Sequence, residues 1–255
     1  MRACCLILAT LGLAFTLPLS AAASNAEKSA AASNAEKSAE EEPAQRAKAP
    51  DVAAAPLELP LYQPPARGKP RSRVGSAVRS AGQQWPALTA LVPEHTGLTA
   101  SEGPSLFWHV DEAPPSDALV VFALTDEEHL DPLVEVELTP PKAAGIQRID
   151  LGQLGVELRS GSEYQWSVAL VVDADQRARD VVAVGYVERV QMPSGLANLS
   201  NPTARELAAH GLWYDALTAA EDQIRSDPED LEPRRARDGL LRQAGLEAAV
   251  PASGN

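Results

Sequence analysis

Cysteine is nearly absent from this chain, because the two cysteines in its 255 residues, Cys4 and Cys5, both lie at the very start. The rest of the sequence therefore has no thiol for a disulfide, a thiol nucleophile, an iron–sulfur cluster or a cysteine-ligated zinc ion. A domain of this size without disulfides must be held together by its hydrophobic core alone.

Long apolar runs are absent beyond the first twenty or so residues. Arg2 precedes an apolar run over residues 4–19, and small residues follow up to Ala23. This order is typical of a secretory signal peptide over residues 1–23, which predicts cleavage near Ala23 and an exported, periplasmic protein. An uncleaved anchor is the alternative, although the run is shorter than the ~20 residues of a spanning helix. No other segment is apolar over 18 residues, so we predict no transmembrane segment in the mature chain.

Basic residues are outnumbered in this sequence. There are 22 Lys and Arg against 35 Asp and Glu, which gives a formal net charge of −13. Such a chain is repelled by the phosphates of nucleic acids and by anionic membrane surfaces. We therefore predict that nucleic acid is not a partner.

Residues 24–57 have neither helical nor strand periodicity. The nine residues 22–30 (AASNAEKSA) recur letter for letter at 31–39, and a composition rich in Ala, Pro and Glu continues to Pro56. Two copies of nine residues are too few and too short for a repeat architecture. The composition predicts a disordered Ala/Pro/Glu-rich tether with a tandem repeat.

Acidic residues are missing between Glu58 and Glu94, where basic residues alternate with Gly and Pro. Because Gly and Pro interrupt regular structure, we predict that residues 58–87 are an extended or looped basic lead-in. Its cations suit an anion such as a phosphate or a polysaccharide carboxylate, or they cover the protein's own acidic surface. The candidate binding residues are Arg67, Lys69, Arg71, Arg73 and Arg79.

Strand-like patterns dominate residues 88–192. Seven short apolar or alternating segments are separated by turn signals of Gly, Pro and Asp. These segments are 88–92, 105–110, 118–124, 133–138, 146–151, 164–172 and 181–190. Seven strands without helical periodicity between them predict a mainly β fold, an antiparallel β-sandwich of the immunoglobulin or fibronectin type.

Tyr164 gives this prediction a local test. It opens a strand just after Gly161, as in a tyrosine corner, where the phenol hydroxyl bonds back to the upstream backbone. In such a sandwich Trp108 and Trp166 are expected on central strands, with their rings in the core.

Helical periodicity begins after Pro202. Apolar residues then recur every three or four positions in two stretches, which Pro228 separates. We therefore predict a C-terminal α-helical hairpin over residues 202–248.

The stretch 211–217 (GLWYDAL), followed by Pro228, resembles the second half of a tetratricopeptide repeat. One unit of that kind leaves an apolar face uncovered, so the hairpin is expected to pack on the sandwich, on a sister subunit or on a partner. Trp213 lies in this stretch and is a further candidate binding residue. Burial of Trp213, Leu217 and Leu240 against the sandwich would make the hairpin a lid or brace, whereas their exposure would imply a missing partner.

Catalytic motifs are missing as well. The sequence has no Gly-x-Ser-x-Gly elbow, no His-Glu-x-x-His and no phosphate loop, and no two of its four histidines have ligand spacing. His129 lies in the acidic segment 126–131, which lacks the acid spacing and glycine of a calcium loop. We therefore predict no cofactor, no metal and no enzymatic activity. A carboxylate-dependent hydrolase is the remaining enzymatic alternative, because the fold rather than the spacing sets such pairs.

Six stretches together carry a family resemblance: PALTALVP at 86–93, GLT at 97–99, PSLFW at 104–108, YQW at 164–166, GYVER at 185–189 and GLWYDAL at 211–217. In these stretches the chain resembles DUF928, a bacterial family of unknown function. The resemblance covers about residues 60 to 246 and implies an exported protein, with no known activity attached. Members of the family often have a cysteine near the basic lead-in, which this chain lacks.

Together these features predict a non-enzymatic binding or adaptor protein of the bacterial cell envelope, with another envelope protein as its partner. The alternatives are a module that binds an envelope polysaccharide or another anion through the basic lead-in, and the carboxylate-dependent hydrolase.

Overall fold

The structure is a computed structural model that describes residues 62–65, 74–75, 79–80, 83–129 and 131–251. The predicted signal peptide (1–23) and tether (24–57) lie outside the described residues, as does most of the basic lead-in. In chain order the strands of the described part are β1 Val74–Gly75, β2 Arg79–Ser80, β3 Gln83–Gln84, β4 Leu88–Ala90, β5 Gly97–Thr99, β6 Ser105–Val110, β7 Leu119–Asp126, β8 Val134–Leu138, β9 Gly145–Asp150, β10 Glu163–Val171 and β11 Val181–Arg189.

Two sheets form a β-sandwich. The larger sheet has the strand order β1-β11-β10-β7-β8, and β5 also pairs with β11; the smaller sheet has the order β4-β6-β9. From β4 onward the chain changes sheet between β4 and β5, β5 and β6, β6 and β7, β8 and β9, and β9 and β10. Strands β2 and β3 form a separate two-stranded piece. The mainly β, sandwich-type fold that the sequence predicted is therefore confirmed.

The short strands β1, β2, β3 and β5 were not predicted, and two of them, β1 and β5, belong to the larger sheet. Strand β5 runs parallel to β11 along Val187–Arg189, while β1 runs antiparallel to it at Ala183 and Val184. Together they cover successive parts of one edge of β11. Segments of two or three residues are too short to show a period of two, so the sequence pattern could not identify them.

The two sheets share one hydrophobic core. Leu106 of the smaller sheet and Phe122, Trp166 and Val168 of the larger sheet are all fully buried. Trp108, on the central strand β6, is 3% exposed. Both tryptophans therefore lie where the sequence predicted them, in the core on central strands.

The tyrosine corner is confirmed. The hydroxyl oxygen of Tyr164 accepts a hydrogen bond from the backbone N–H of Arg159, at a distance of 2.9 Å. Gly161 has a φ of +79°, a left-handed conformation that glycine adopts without strain, and so allows the tight turn before β10. This bond fixes the connection that brings the chain from the smaller sheet to the larger one.

Three helices follow the sandwich: α1 (Ala204–Ala209), α2 (Trp213–Ser226) and α3 (Glu232–Gln243). The predicted hairpin consists of α2 and α3. The stretch before Pro228 was expected to form one continuous helix, and this is wrong, because Gly211 at φ +75° ends α1 and turns the chain into α2. The likeness to a tetratricopeptide repeat stays a prediction. Each helix of the described part is too short or too polar to cross a lipid bilayer.

Helix α2 is bonded directly into the sandwich. Trp166 donates its indole N–H to the hydroxyl of Tyr214 (2.9 Å), and this hydroxyl donates to the backbone carbonyl of Tyr186 (2.8 Å). Trp213 donates its indole N–H to the carbonyl of Leu91 (2.8 Å). The helices and both sheets therefore share one core.

This packing corrects the expectation that Trp213 contacts a partner. Its side chain is 0% exposed, and Leu217 and Leu240 are 2% and 0% exposed. Segment 62–65 covers the same region, since the ring of Tyr62 meets the indole of Trp213 edge-on at 5.0 Å between centroids. The apolar face of the hairpin is thus satisfied within the chain, and the hairpin braces the sandwich.

Tyr214→Phe tests how strongly the helices depend on this contact. The variant leaves a buried indole N–H and a backbone carbonyl without their partner, so the free energy of unfolding should fall by about 2 kcal/mol or more. Tyr186→Phe is the matched control, because its hydroxyl bonds to Gln165 at the exposed surface, and it should change stability by less than about 0.5 kcal/mol. Urea unfolding measures both. Equal losses would contradict the role given to Tyr214.

Gly185→Ala tests the packing of the larger sheet. Gly185 lies opposite Trp166 in register, and a Cβ at this glycine would come within 2.5 Å of the indole ring. The ring must shift, so we expect a loss of about 1–3 kcal/mol of stability. Gly152→Ala serves as the control, because its Cβ would meet only Gly103 at an ordinary 3.6 Å. A Gly185→Ala protein as stable as this control in thermal unfolding would show that the close approach is wrong.

Candidate functional site

An open groove of about 370 Å³ lies between the smaller sheet and the helices. Its walls come from the segment after β5, the ends of β6 and β9, and one face of α2. The segment that leads from β11 to α1 forms its rim. The groove is therefore built from four parts of the chain that are distant in sequence.

The helical wall is a polar stripe on α2. Asp215, Thr218, Ala219 and Asp222 line the groove, and their spacing of three, four and seven residues places them on one face of the helix. The opposite face of α2 is buried in the core. Burial of that apolar face thus turns the polar stripe toward the groove.

The sheet wall carries Arg148 and Asp150 of β9, which share one face because side chains alternate along a strand. The Nε–H of Arg148 donates to Asp150 (2.8 Å), and its Nη1 donates to Asp222 across the groove. The guanidinium also lies 5.8 Å above the ring of Phe107. Although burial opposes the charge, the two carboxylates raise the pKa of Arg148. This cation therefore ties the sheet wall to the helical wall.

Asp215 fastens the first turn of α2 to the segment after β5. Its carboxylate accepts a hydrogen bond from the backbone N–H of Ala100 (3.1 Å) and further bonds from Thr99 and Ser101. Burial raises the pKa of this carboxyl, and these donors limit the shift. Every one of these contacts holds the helix in place, which assigns Asp215 a positioning role at the groove's end.

Apolar side chains form another part of the lining, beside the polar Ser105 and Asn201. Leu207 and Ala219 come from the helices, Pro104 precedes β6, and Met192 stands on the rim with 44% of its surface exposed. Exposed methionine and small apolar side chains adapt to different ligand shapes. The groove therefore combines carboxylates and hydroxyls with an apolar wall.

The residues predicted for binding do not form this groove. Four of them, Arg67, Lys69, Arg71 and Arg73, lie outside the described residues. Arg79 lies in β2, where its backbone pairs with that of Gln84 in β3. The anion-binding role of the basic lead-in therefore stays a prediction. Trp213 belongs to the core, as described above.

Contacts within the protein hold the acidic side chains around His129 together. Asp126, Glu128 and His129 bring one ligand atom each within 4.8 Å of the others. The Nη2 of Arg159 contacts Glu128 (2.8 Å) and Asp126 (3.3 Å), and His129 bonds to Asp126 (2.8 Å). A guanidinium already balances these carboxylates, so their closeness has a structural explanation.

Sequence reasoning missed the groove, although two of its signals are present in the sequence. The polar spacing of Asp215, Thr218 and Asp222 indicates one helix face, and Arg148 and Asp150 indicate one strand face. Neither pattern shows that these faces meet, because Arg148 and Asp222 are 74 residues apart.

Asp215→Asn tests the environment of the buried carboxyl. A raised pKa means that the folded protein keeps this proton to a higher pH than the unfolded chain, so ionisation of Asp215 weakens the fold as pH rises above about 4. The variant lacks this dependence. The difference in free energy of unfolding between variant and wild type should therefore move in the variant's favour from pH 4 to pH 7 in urea titrations. A constant difference would contradict the raised pKa.

Of three comparisons with known proteins, the one with protein-family models agrees with the sequence resemblance. No curated protein sequence matches this chain. A similar solved structure is the fn3 domain of the human collagen alpha-1(XX) chain, with 16% identity, coverage of 50% of this chain and 97% of that chain, and a TM-score of 0.26. The family model described as Domain of Unknown Function (DUF928) matches residues 67–253, which include the sandwich and all three helices. The chain therefore belongs to the DUF928 family.

Proposed function

We propose that this protein is an exported, non-enzymatic adaptor of the bacterial cell envelope that holds a partner protein in the groove between β9 and α2. The open groove of about 370 Å³ is the observation that carries the proposal. Ligand sites are concave and combine an apolar lining with a few placed polar groups, as this groove does.

The groove is preorganised. Arg148 joins its two walls, Asp215 fixes the start of α2, and the hydroxyl of Tyr214 anchors the same helix in the sandwich. A site whose walls are already fixed loses little conformational freedom on binding, which favours recognition of a partner.

The contacts of the carboxylates favour binding over hydrolysis. Both oxygens of Asp150 are engaged, one by Arg148 and Ser105 and the other by Gln153. Asp215, the groove carboxyl with a raised pKa, accepts bonds from backbone N–H groups. A hydrolase needs an acid and a base that both face the substrate, whereas these two groups face their own scaffold.

Export supports an envelope role. The apolar run and small residues at 4–23 favour secretion, and a domain without cysteine needs no oxidising partner to fold after transport. The predicted tether of residues 24–57 would give the groove reach within the envelope.

Site-specific photo-crosslinking in intact cells tests this function. A photoreactive amino acid at Met192 lies on the groove rim, and the same amino acid at Leu133, 41% exposed before β8, is the matched control outside the groove. We expect one partner, identified by mass spectrometry, to be captured from Met192 and not from Leu133.

A blocking variant makes the result specific to the groove. Ala219→Trp fills the space beside α2, so the purified partner should lose at least about tenfold in affinity for it. Recovery of the bare protein alone from Met192, or equal capture from both positions, would contradict the proposal. An unchanged affinity of Ala219→Trp would place the partner elsewhere.

A further inference from the structure

We infer that the groove between β9 and α2 recognises a cationic peptide segment, with a lysine or arginine side chain of the partner lying along α2. This inference rests on the proposed function and assigns the chemical class of the ligand.

The charge of the groove favours a cation. Among the described residues, the lining carries the carboxylates of Asp150, Asp215 and Asp222 and one guanidinium, that of Arg148, while Arg225 contacts Asp222 from outside the lining. An anionic ligand would meet this excess of negative charge, whereas a cation is attracted by it.

Asp222 has an oxygen available for such a ligand. Its contacts with Arg148 and Arg225 are both made by Oδ1, and its side chain is 50% exposed. Oδ2 is therefore the acceptor that we assign to the incoming ammonium or guanidinium. A charge-assisted hydrogen bond of this kind is about twice as strong as a neutral one.

The apolar lining distinguishes a long side chain from a metal ion. Leu207, Ala219 and Met192 offer a surface for an aliphatic stem of the kind that lysine and arginine carry below their charge. A small ion needs several ligand atoms close together, and the groove carboxylates do not form such a group among the described residues. An extended cation with an apolar stem fits both parts of the groove.

Binding of a defined peptide to the purified exported protein tests this inference. The probe is a fluorescein-labelled nonapeptide of alternating Ala and Lys, compared with the same peptide in which Gln replaces Lys. Fluorescence anisotropy should show binding of the Lys peptide that weakens as salt is raised, and at least about tenfold weaker binding of the Gln peptide.

Asp222→Asn removes the assigned acceptor and should weaken binding of the Lys peptide about five- to tenfold. Asp117→Asn is the matched control, because it removes the same charge from an exposed turn before β7 and should leave the affinity within about twofold. Unfolding curves of both variants confirm that each is folded before binding is compared.

Three results would overturn the inference: no binding of the Lys peptide, equal binding of the Gln peptide, or equal effects of Asp222→Asn and Asp117→Asn. Tighter binding of spermidine than of the Lys peptide would reassign the groove to a small polyamine and overturn it as well. If Met192 still captures a partner in cells in any of these cases, the proposed adaptor function stands and the cationic ligand alone is wrong.

Discussion

The hydroxyl of Tyr214 lies where the helices meet the sandwich. It accepts from the indole of Trp166 on a central strand and donates to the backbone carbonyl of Tyr186 on the neighbouring strand. Burial raises the pKa of this phenol, so the hydroxyl keeps the proton that it donates. One polar atom thus satisfies two buried groups from different strands, and α2 becomes part of the sandwich core rather than an attached element.

The groove is a consequence of this anchoring. With the aromatic face of α2 buried, its polar face must look outward, and the neighbouring wall there is β9. Arg148 then reaches Asp222 across the gap and fixes the distance between the two walls. The same helix therefore stabilises the domain with one face and builds a binding site with the other, which links the stability of the fold to the shape of the site.

Strand prediction succeeded where burial produces a regular pattern. Each of the seven predicted segments overlaps a strand, and the segment 105–110 coincides with β6, because alternating or continuous apolar residues directly reflect the faces of a sandwich. The break between α1 and α2 was missed, since Gly211 is compatible with both a helix and a left-handed turn. The strands β1 and β5 were missed because their pairing with β11 is a long-range contact of very short segments.

The sequence by itself determined most of the elements, the acidic balance and the likeness to the DUF928 family, because local periodicity, composition and motifs are properties of neighbouring residues. Only the tertiary structure decided that Trp213 is buried and that the groove exists. Trp213 was a candidate for binding a partner, and the sequence left open whether it packs on the sandwich; its bond to the carbonyl of Leu91, 122 residues away, and its complete burial place it in the core. Arg148 and Asp222 likewise became one site only because the fold brought distant parts of the chain within reach of each other.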